Sequence, residues 1–306
     1  MKLRIVFMGT PAFAVPSLDI LIKNGYNVVG VVTATDKYGG RGGKRLIESD
    51  IKKYATARGI PVLQPSKLKS PDFLEQLRAL RANLQVVVAF RMLPEVVWAM
   101  PAIGTFNLHG SLLPRYRGAA PINWAVIKGD QETGVTTFFL KQKVDTGDMI
   151  LQKRMSIGAN DTAGQVHDQM MELGASAVLE TVQLIEQERV QLQPQDNSLA
   201  TKAPKIFHET CEINFDQPAH QVHNFIRGLS PYPTAWTNLH DKKLKIFETR
   251  PLVATHELSP GTFVPSDDKK MLRIATSDGF VQILELQLAG KKRMTTTAFL
   301  NGYQDF

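Results

Sequence analysis

The feature that most constrains this chain is the alternation, through its first half, of short β-branched apolar runs with helical patterns. Residues 3–9 form an apolar run ending on a glycine turn, residues 27–32 form another, and residues 84–90 (LQVVVAF) are the most β-branched. Residues 15–24, 47–58 and 71–81 place apolar side chains at helical spacing, and 62–63 is a short strand candidate. Residues 105–108 and 121–128 continue the rhythm as strand and helix. Short apolar runs bounded by turn residues read as strands buried on both faces. Repeated strand–helix units give a mostly parallel, doubly wound α/β sheet of Rossmann-like type. Such sheets carry their sites in loops beyond the C-terminal ends of the strands.

The pattern then changes. Residues 137–140 and 149–156 read as strands joined across KQKVDTGD, and a long helix is expected over about 162–188, with Asp161 and Thr162 as its N-cap. Residues 190–205 are polar, contain two prolines and have no apolar period, as an interdomain linker would. Beyond it, 236–239, 243–248, 272–275 and 280–286 are short strands and 219–227 is a helix. That composition suggests a small β-barrel of OB-like type. A chain of 306 residues exceeds what one core usually fills, so the expected domains are 1–189 and 206–306, joined by 190–205.

With 43% hydrophobic and 21% charged residues, the composition is that of a soluble globular protein. The apolar stretch from Ile5 to Met8 is cut by Gly9-Thr10-Pro11, short of the roughly 7–15 residues of a secretory core. No run approaches the ~20 apolar residues of a membrane span. The single cysteine, Cys211, excludes an internal disulfide and suits a reducing compartment, so a cytoplasmic protein is expected. The net charge of +7 favours an anionic partner, nucleic acid first, although many basic proteins bind none.

The motifs narrow the chemistry. Gly9-Thr10-Pro11 stands where a dinucleotide-binding chain has GxGxxG, which argues against such a cofactor. The stretch GGRGGKR, residues 39–45, is not a Walker A sequence. It reads either as a solvated loop or as a mobile one whose Lys37, Arg41, Lys44 and Arg45 grip phosphates. His208-x2-Cys211 and His220-x2-His223 imitate a zinc pattern, but their separation is too short for one. Lys291-Lys292-Arg293 is either a solvated turn or part of an RNA surface.

The richest segment is FNLHGSLLPRYRGAAPI, residues 106–122. Asn107 and His109 are two apart, so on an extended strand they point to the same side. VDTGD, residues 144–148, supplies carboxylates. An amide donor, a histidine and a carboxylate suffice for acyl-type transfer without a protein nucleophile. On spacing alone, His109 is equally a structural histidine at a strand end.

These blocks resemble the methionyl-tRNA formyltransferase family. Its pattern matches Asn107, His109, Ser111, Leu112, Leu113, Pro114, Arg117, Gly118 and Pro121, and its Asp-x-Gly-Asp signature matches Asp145 to Asp148. Gly9-Thr10-Pro11, the loop around Arg41 and the tail Ala289-Gly290-Lys291-Lys292-x-Met294 also fit, so the resemblance spans nearly the whole chain. The first block is shared with other 10-formyltetrahydrofolate enzymes; the charged loop and tail point to tRNA.

The resemblance implies a formyltransferase fold and a monomer. It implies 10-formyltetrahydrofolate as donor, initiator methionyl-tRNA as acceptor and no metal. Asn107, His109 and Asp145 become the catalytic set. Ser111, Leu112, Leu113 and Pro114, with Phe90 and Arg91, become the folate site. Lys37, Arg41, Lys44, Arg45, Lys291 and Lys292 become the tRNA contacts. The sequence departs from the usual pattern at residues 89–94, where many members carry a tyrosine-glycine pair and one more residue. The alternative acceptor is a small amine such as an amino-sugar nucleotide.

Overall fold

A computed structural model describes residues 2–39, 42–43, 45–268 and 270–303. Its elements are β1 (Arg4–Gly9), α1 (Val15–Lys23), β2 (Asn27–Val32), β3 (Lys37–Gly39), β4 (Arg45–Ile47), α2 (Asp50–Thr56), β5 (Val62–Leu63), α3 (Pro71–Ala79), β6 (Leu84–Val88), α4 (Glu95–Trp98), β7 (Gly104–His109), β8 (Arg117–Gly118), α5 (Pro121–Ile127), β9 (Glu132–Phe139), β10 (Met149–Ser156) and α6 (Ala163–Glu186). They continue with β11 (Lys202–Ala203), α7 (Ala219–Leu229), β12 (Ala235–Leu239), β13 (Lys242–Val253), β14 (Phe263–Pro265), β15 (Leu272–Ala275), β16 (Gly279–Leu288), β17 (Met294–Thr295) and α8 (Thr296–Gly302).

The chain divides into two compact units, 1–117 with 134–155 and 168–202, and 118–133 with 156–167 and 203–306. The boundary at 202/203 falls inside the stretch read as a linker. Before that boundary the stretch is tied down: Gln193 forms a β-bridge with Met149.

The first unit is a seven-stranded sheet in the order β10-β9-β7-β6-β1-β2-β5. The run from β7 to β5 is parallel and β9 joins β7 antiparallel. Every residue of β6 is buried, which is what a β-branched run between two strands and under helices requires. Helix α2 starts at Asp50, later than apolar spacing suggested, because the Ser49 hydroxyl accepts from Lys52 N–H at 3.1 Å and caps it. Ile47 is therefore left in β4.

The second unit is built on an antiparallel sheet, β12-β13-β16-β15-β14, with β17 on β16. Its core includes Val222, Ile226, Leu244, Ile246, Ile274, Val281 and Leu286. Helix α7 carries the buried His223, whose Nδ1 lies 2.9 Å from Thr249 Oγ1 and Nε2 3.3 Å from the Ala159 carbonyl. A carbonyl only accepts, so Nε2 holds the proton and Nδ1 accepts from the Thr249 hydroxyl. Burial chiefly, then the charges of Arg227 and His220, hold its pKa below the ordinary 6.5. Below about pH 6.5 the unfolded chain takes up a proton that folded His223 refuses, so stability falls as pH drops. Thermal denaturation at about pH 7.5 and 5.5 checks this: the melting temperature drops on acidification, and less so in His223→Gln.

No helix among the described residues is long and apolar enough to cross a membrane.

Candidate active site

Strand β7 lies between β6 and β9 and brings Asn107 and His109 to its C-terminal end. Leu108 faces α6, where a Cβ on Gly174 would sit 2.7 Å from Leu108 Cδ2. By alternation Asn107 and His109 share the opposite face, roughly 7 Å apart along the strand. Asn107 is half-buried, and its carboxamide has no hydrogen-bond partner among the described residues. It keeps both a donor and an acceptor to offer.

His109 is only 6% exposed. Its Nε2 lies 2.9 Å from the Tyr116 carbonyl, which can only accept, so Nε2 carries a proton and the ring is fixed. The other ring nitrogen, Nδ1, faces Asp145 Oδ2 at 3.9 Å. That separation is beyond direct hydrogen-bond reach.

Asp145 sits in the loop between β9 and β10 at φ 53, a left-handed conformation that side chains disfavour. Gly147 lets the loop close, because a Cβ there would lie 1.6 Å from the Phe139 carbonyl oxygen. Gly147→Ala should push the loop and Asp145 away from His109. The expected result is a fall in kcat of at least ~10-fold, read in a transfer assay beside a melting curve showing a folded protein.

The loop after β7 is knitted to the neighbouring strands. Thr136 Oγ1 of β9 donates to Ser111 O at 2.7 Å and accepts from Leu113 N at 3.0 Å. Gln152 Nε2 of β10 donates to Leu113 O at 2.8 Å and Thr136 Oγ1 at 2.9 Å. Ser111 Oγ donates to Arg115 O at 2.6 Å, Leu112 O accepts from Arg115 N at 3.1 Å, and Pro114 O accepts from Thr201 N at 3.4 Å. All four carbonyls from Ser111 to Pro114 are thus engaged within the chain. The side chains of Ser111 and Leu113 are buried, while Leu112 and Pro114 are partly accessible.

Across β7, Phe90 and Arg91 follow β6. Phe90 packs partly into the core of the first unit. The Arg91 guanidinium donates to Ser66 O at 3.0 Å and to Pro65 O, 5.7 Å from the Phe90 ring. Met92 beside it is 77% exposed.

The glycine-rich basic stretch is flanked by a β-ribbon, which sequence reading left as loop. Strands β3 and β4 pair antiparallel, Lys37 with Ile47, Tyr38 with Leu46 and Gly39 with Arg45. Lys37 and Arg45 are exposed, and Tyr38 is 75% exposed. Arg41 and Lys44 lie outside the described residues. The ribbon's root is pinned: Lys52 binds Asp36 and, at 2.7 Å, Glu48, and Gln64 Nε2 donates to Asp36 Oδ1 at 2.8 Å. Hydrogen bonds from Lys52 and then Gln64 hold the Asp36 carboxyl below its usual range.

A second basic surface lies on the antiparallel sheet. Lys291 and Lys292 are exposed after β16, and the Lys291 carbonyl accepts from Gln287 Nε2 at 2.9 Å. Gln287 also lines a cavity of ≈ 220 Å³ with Lys243, Lys245 and Ala289. Lys243 Nζ lies 3.6 Å from the centre of the Trp236 ring, which stacks on His208. Of the zinc-like set, His208 serves this stack, Cys211 Sγ meets Phe207 O at 3.1 Å and His223 is held as above. Among the described residues no three His, Cys, Asp or Glu side chains form a metal-binding group.

Comparison with known proteins fits this arrangement. Residues 1–182 match the Formyl transferase family and residues 205–304 the Formyl transferase C-terminal domain. Among solved structures, the sugar 3N-formyl transferase WlaRD, solved in the presence of dTDP and 5-N-formyl-THF, superposes with TM-score 0.69 at 20% identity, over 95% of this chain and all (100%) of that one. A methionyl-tRNA formyltransferase from Clostridium thermocellum superposes with TM-score 0.56 at 14% identity, over 81% of this chain and 93% of that one. These establish the fold. A methionyl-tRNA formyltransferase of Bacteroides fragilis is 54% identical over 98% of this chain and 95% of its own length. The chain belongs to the methionyl-tRNA formyltransferase family.

Proposed function

We propose that the chain moves the formyl group of 10-formyltetrahydrofolate onto the α-amino group of initiator methionyl-tRNA. The observation that carries this reading is His109 Nδ1 facing the Asp145 carboxylate at 3.9 Å, on the strand face that also presents Asn107. The amine attacks the formyl carbon to give a tetrahedral oxyanion. Asn107 donates to that oxygen, and His109, its ring held by the Tyr116 carbonyl and faced by Asp145, supports the charge beside it. The C–N10 bond then breaks, the carbonyl re-forms, and the proton lost by the amine passes to N10. The products are formylmethionyl-tRNA and tetrahydrofolate, and no group on the protein is consumed.

Phe90, Arg91, Leu112 and Pro114 form the folate contact, with Ser111 and Leu113 holding that loop in shape from inside. Residues 1–189 carry the chemistry and 206–306 hold the tRNA. Lys37, Arg41, Lys44 and Arg45 address the acceptor end, where single-stranded RNA is read by basic and aromatic side chains. Lys291 and Lys292, continuing Lys243 and Lys245, meet phosphates. The protein works in the cytoplasm as a monomer.

A competition assay tests the acceptor. With the folate donor and a mixture of methionyl-tRNA and an amino-sugar nucleotide, the formyl group goes to methionine. Transfer to the sugar amine, undiminished by added tRNA, would overturn the assignment.

A further inference from the structure

Gln195 comes from the polar stretch before the unit boundary, far in sequence from every motif above, yet its amide touches the loop that carries Asp145. Its Oε1 accepts from Arg117 Nε at 3.0 Å and Nη2 at 2.7 Å. Its Nε2 donates to the Asp145 carbonyl at 3.0 Å and the Gly147 carbonyl at 2.8 Å. Asn197 Oδ1 takes a further bond from Arg117 Nη2 at 2.9 Å. The orientation of the amide is determined by its partners, because a guanidinium only donates and carbonyls only accept. A carboxylate would supply no donors to the loop, and an ammonium would supply no acceptor to Arg117.

The two carbonyls bracket Thr146, next to a residue at φ 53. Gripping both fixes the peptide planes on either side of the turn, and with them the direction of the Asp145 side chain. Other side-chain ties of the loop include two local ones, Thr146 Oγ1 to Lys143 O at 2.9 Å and Lys141 to Asp148 at 2.7 Å. We infer that Gln195, oriented by Arg117, is a positioning residue that holds the Asp145 carboxylate against His109. The inference rests on the proposed role of Asp145.

The test is a double-mutant cycle on the full chain with methionyl-tRNA and 10-formyltetrahydrofolate. Gln195→Glu keeps the acceptor for Arg117 and removes both donors. Gln195→Met keeps the volume and controls for repulsion by the new carboxylate. Each should lower kcat by ~10–100-fold, with both KM values within about twofold. In an Asp145→Ala background the same changes should shift kcat by less than about twofold, because the group they position is gone. Wild-type kcat in both variants, a loss confined to KM, or an equal loss in both backgrounds would overturn the inference and leave Asp145 in its role. Wild-type kcat in Asp145→Ala alone would instead remove the reading of Asp145, and this inference with it.

Discussion

His109→Ala should lower kcat for formyl transfer by ~10²–10³ and leave KM for either substrate nearly unchanged. The split follows from when the interaction is made. The negative charge that His109 meets exists only after the amine has attacked, so losing it raises the barrier without weakening ground-state binding. Asn107→Ala should lose a similar factor by removing the amide donor. Asp145→Ala should lose it by leaving the His109 ring without the carboxylate that faces it. The losses should not add, since the three groups serve one oxyanion; a triple variant should fall little below the worst single one. Stability changes much less. His109→Ala deletes one hydrogen bond to Tyr116, worth about 1 kcal/mol, which moves the melting temperature by only ~2–4 °C in a chain of this size. Steady-state kinetics beside thermal melts check the prediction, and a variant that melts early yet turns over normally would assign His109 a structural role.

The second large effect concerns salt. The proposed contacts place six cations, Lys37, Arg41, Lys44, Arg45, Lys291 and Lys292, against RNA phosphates. If all six engage, tRNA affinity should fall by ~10³ between about 50 and 200 mM monovalent salt, through release of condensed counterions. Binding of the folate donor has no comparable counterion term and should change far less. Lys291→Ala with Lys292→Ala should reduce the slope of log affinity against log salt by about 2, weakening binding uniformly across tRNA sequences. Arg41→Ala should reduce it by about 1 and leave folate binding intact. Fluorescence titration of tRNA at several salt concentrations reads each slope. An unchanged slope in the Lys291/Lys292 variant would remove that surface from the interface.

The parallel sheet was legible because its signal is local and repeated. Residues 27–32 and 149–156 coincide with β2 and β10, and the helix expected over 71–81 is α3, Pro71–Ala79. Asn107 and His109 were legible as a pair because strand alternation alone puts them on one face. The β3–β4 ribbon was not legible: three-residue strands are too short to show a period, and glycines between them read as loop. C-terminal helix α8 was missed because seven residues, TTAFLNG, carry little helical signal without the Thr295 cap that accepts from Ala298 N at 3.4 Å. The scaffold around the site was invisible for a different reason. Thr136, Gln152 and Gln195 act on loops 23 to 50 residues away in sequence, through single side chains in otherwise ordinary contexts. Spacing rules describe neighbours on one element and give no sign of such long-range contacts. Gln195 was further hidden by its surroundings, where prolines and polar residues suggest an untethered connection.

The most direct measurement of the central claim is a single-turnover reaction with a donor labelled in its formyl carbon and charged initiator tRNA, followed by mass analysis of the released aminoacyl group. The account predicts that the label appears on the α-nitrogen of methionine in the wild type and is nearly absent over the same interval in His109→Ala. Label remaining on the folate in the wild type, or reaching methionine equally fast without His109, would contradict it.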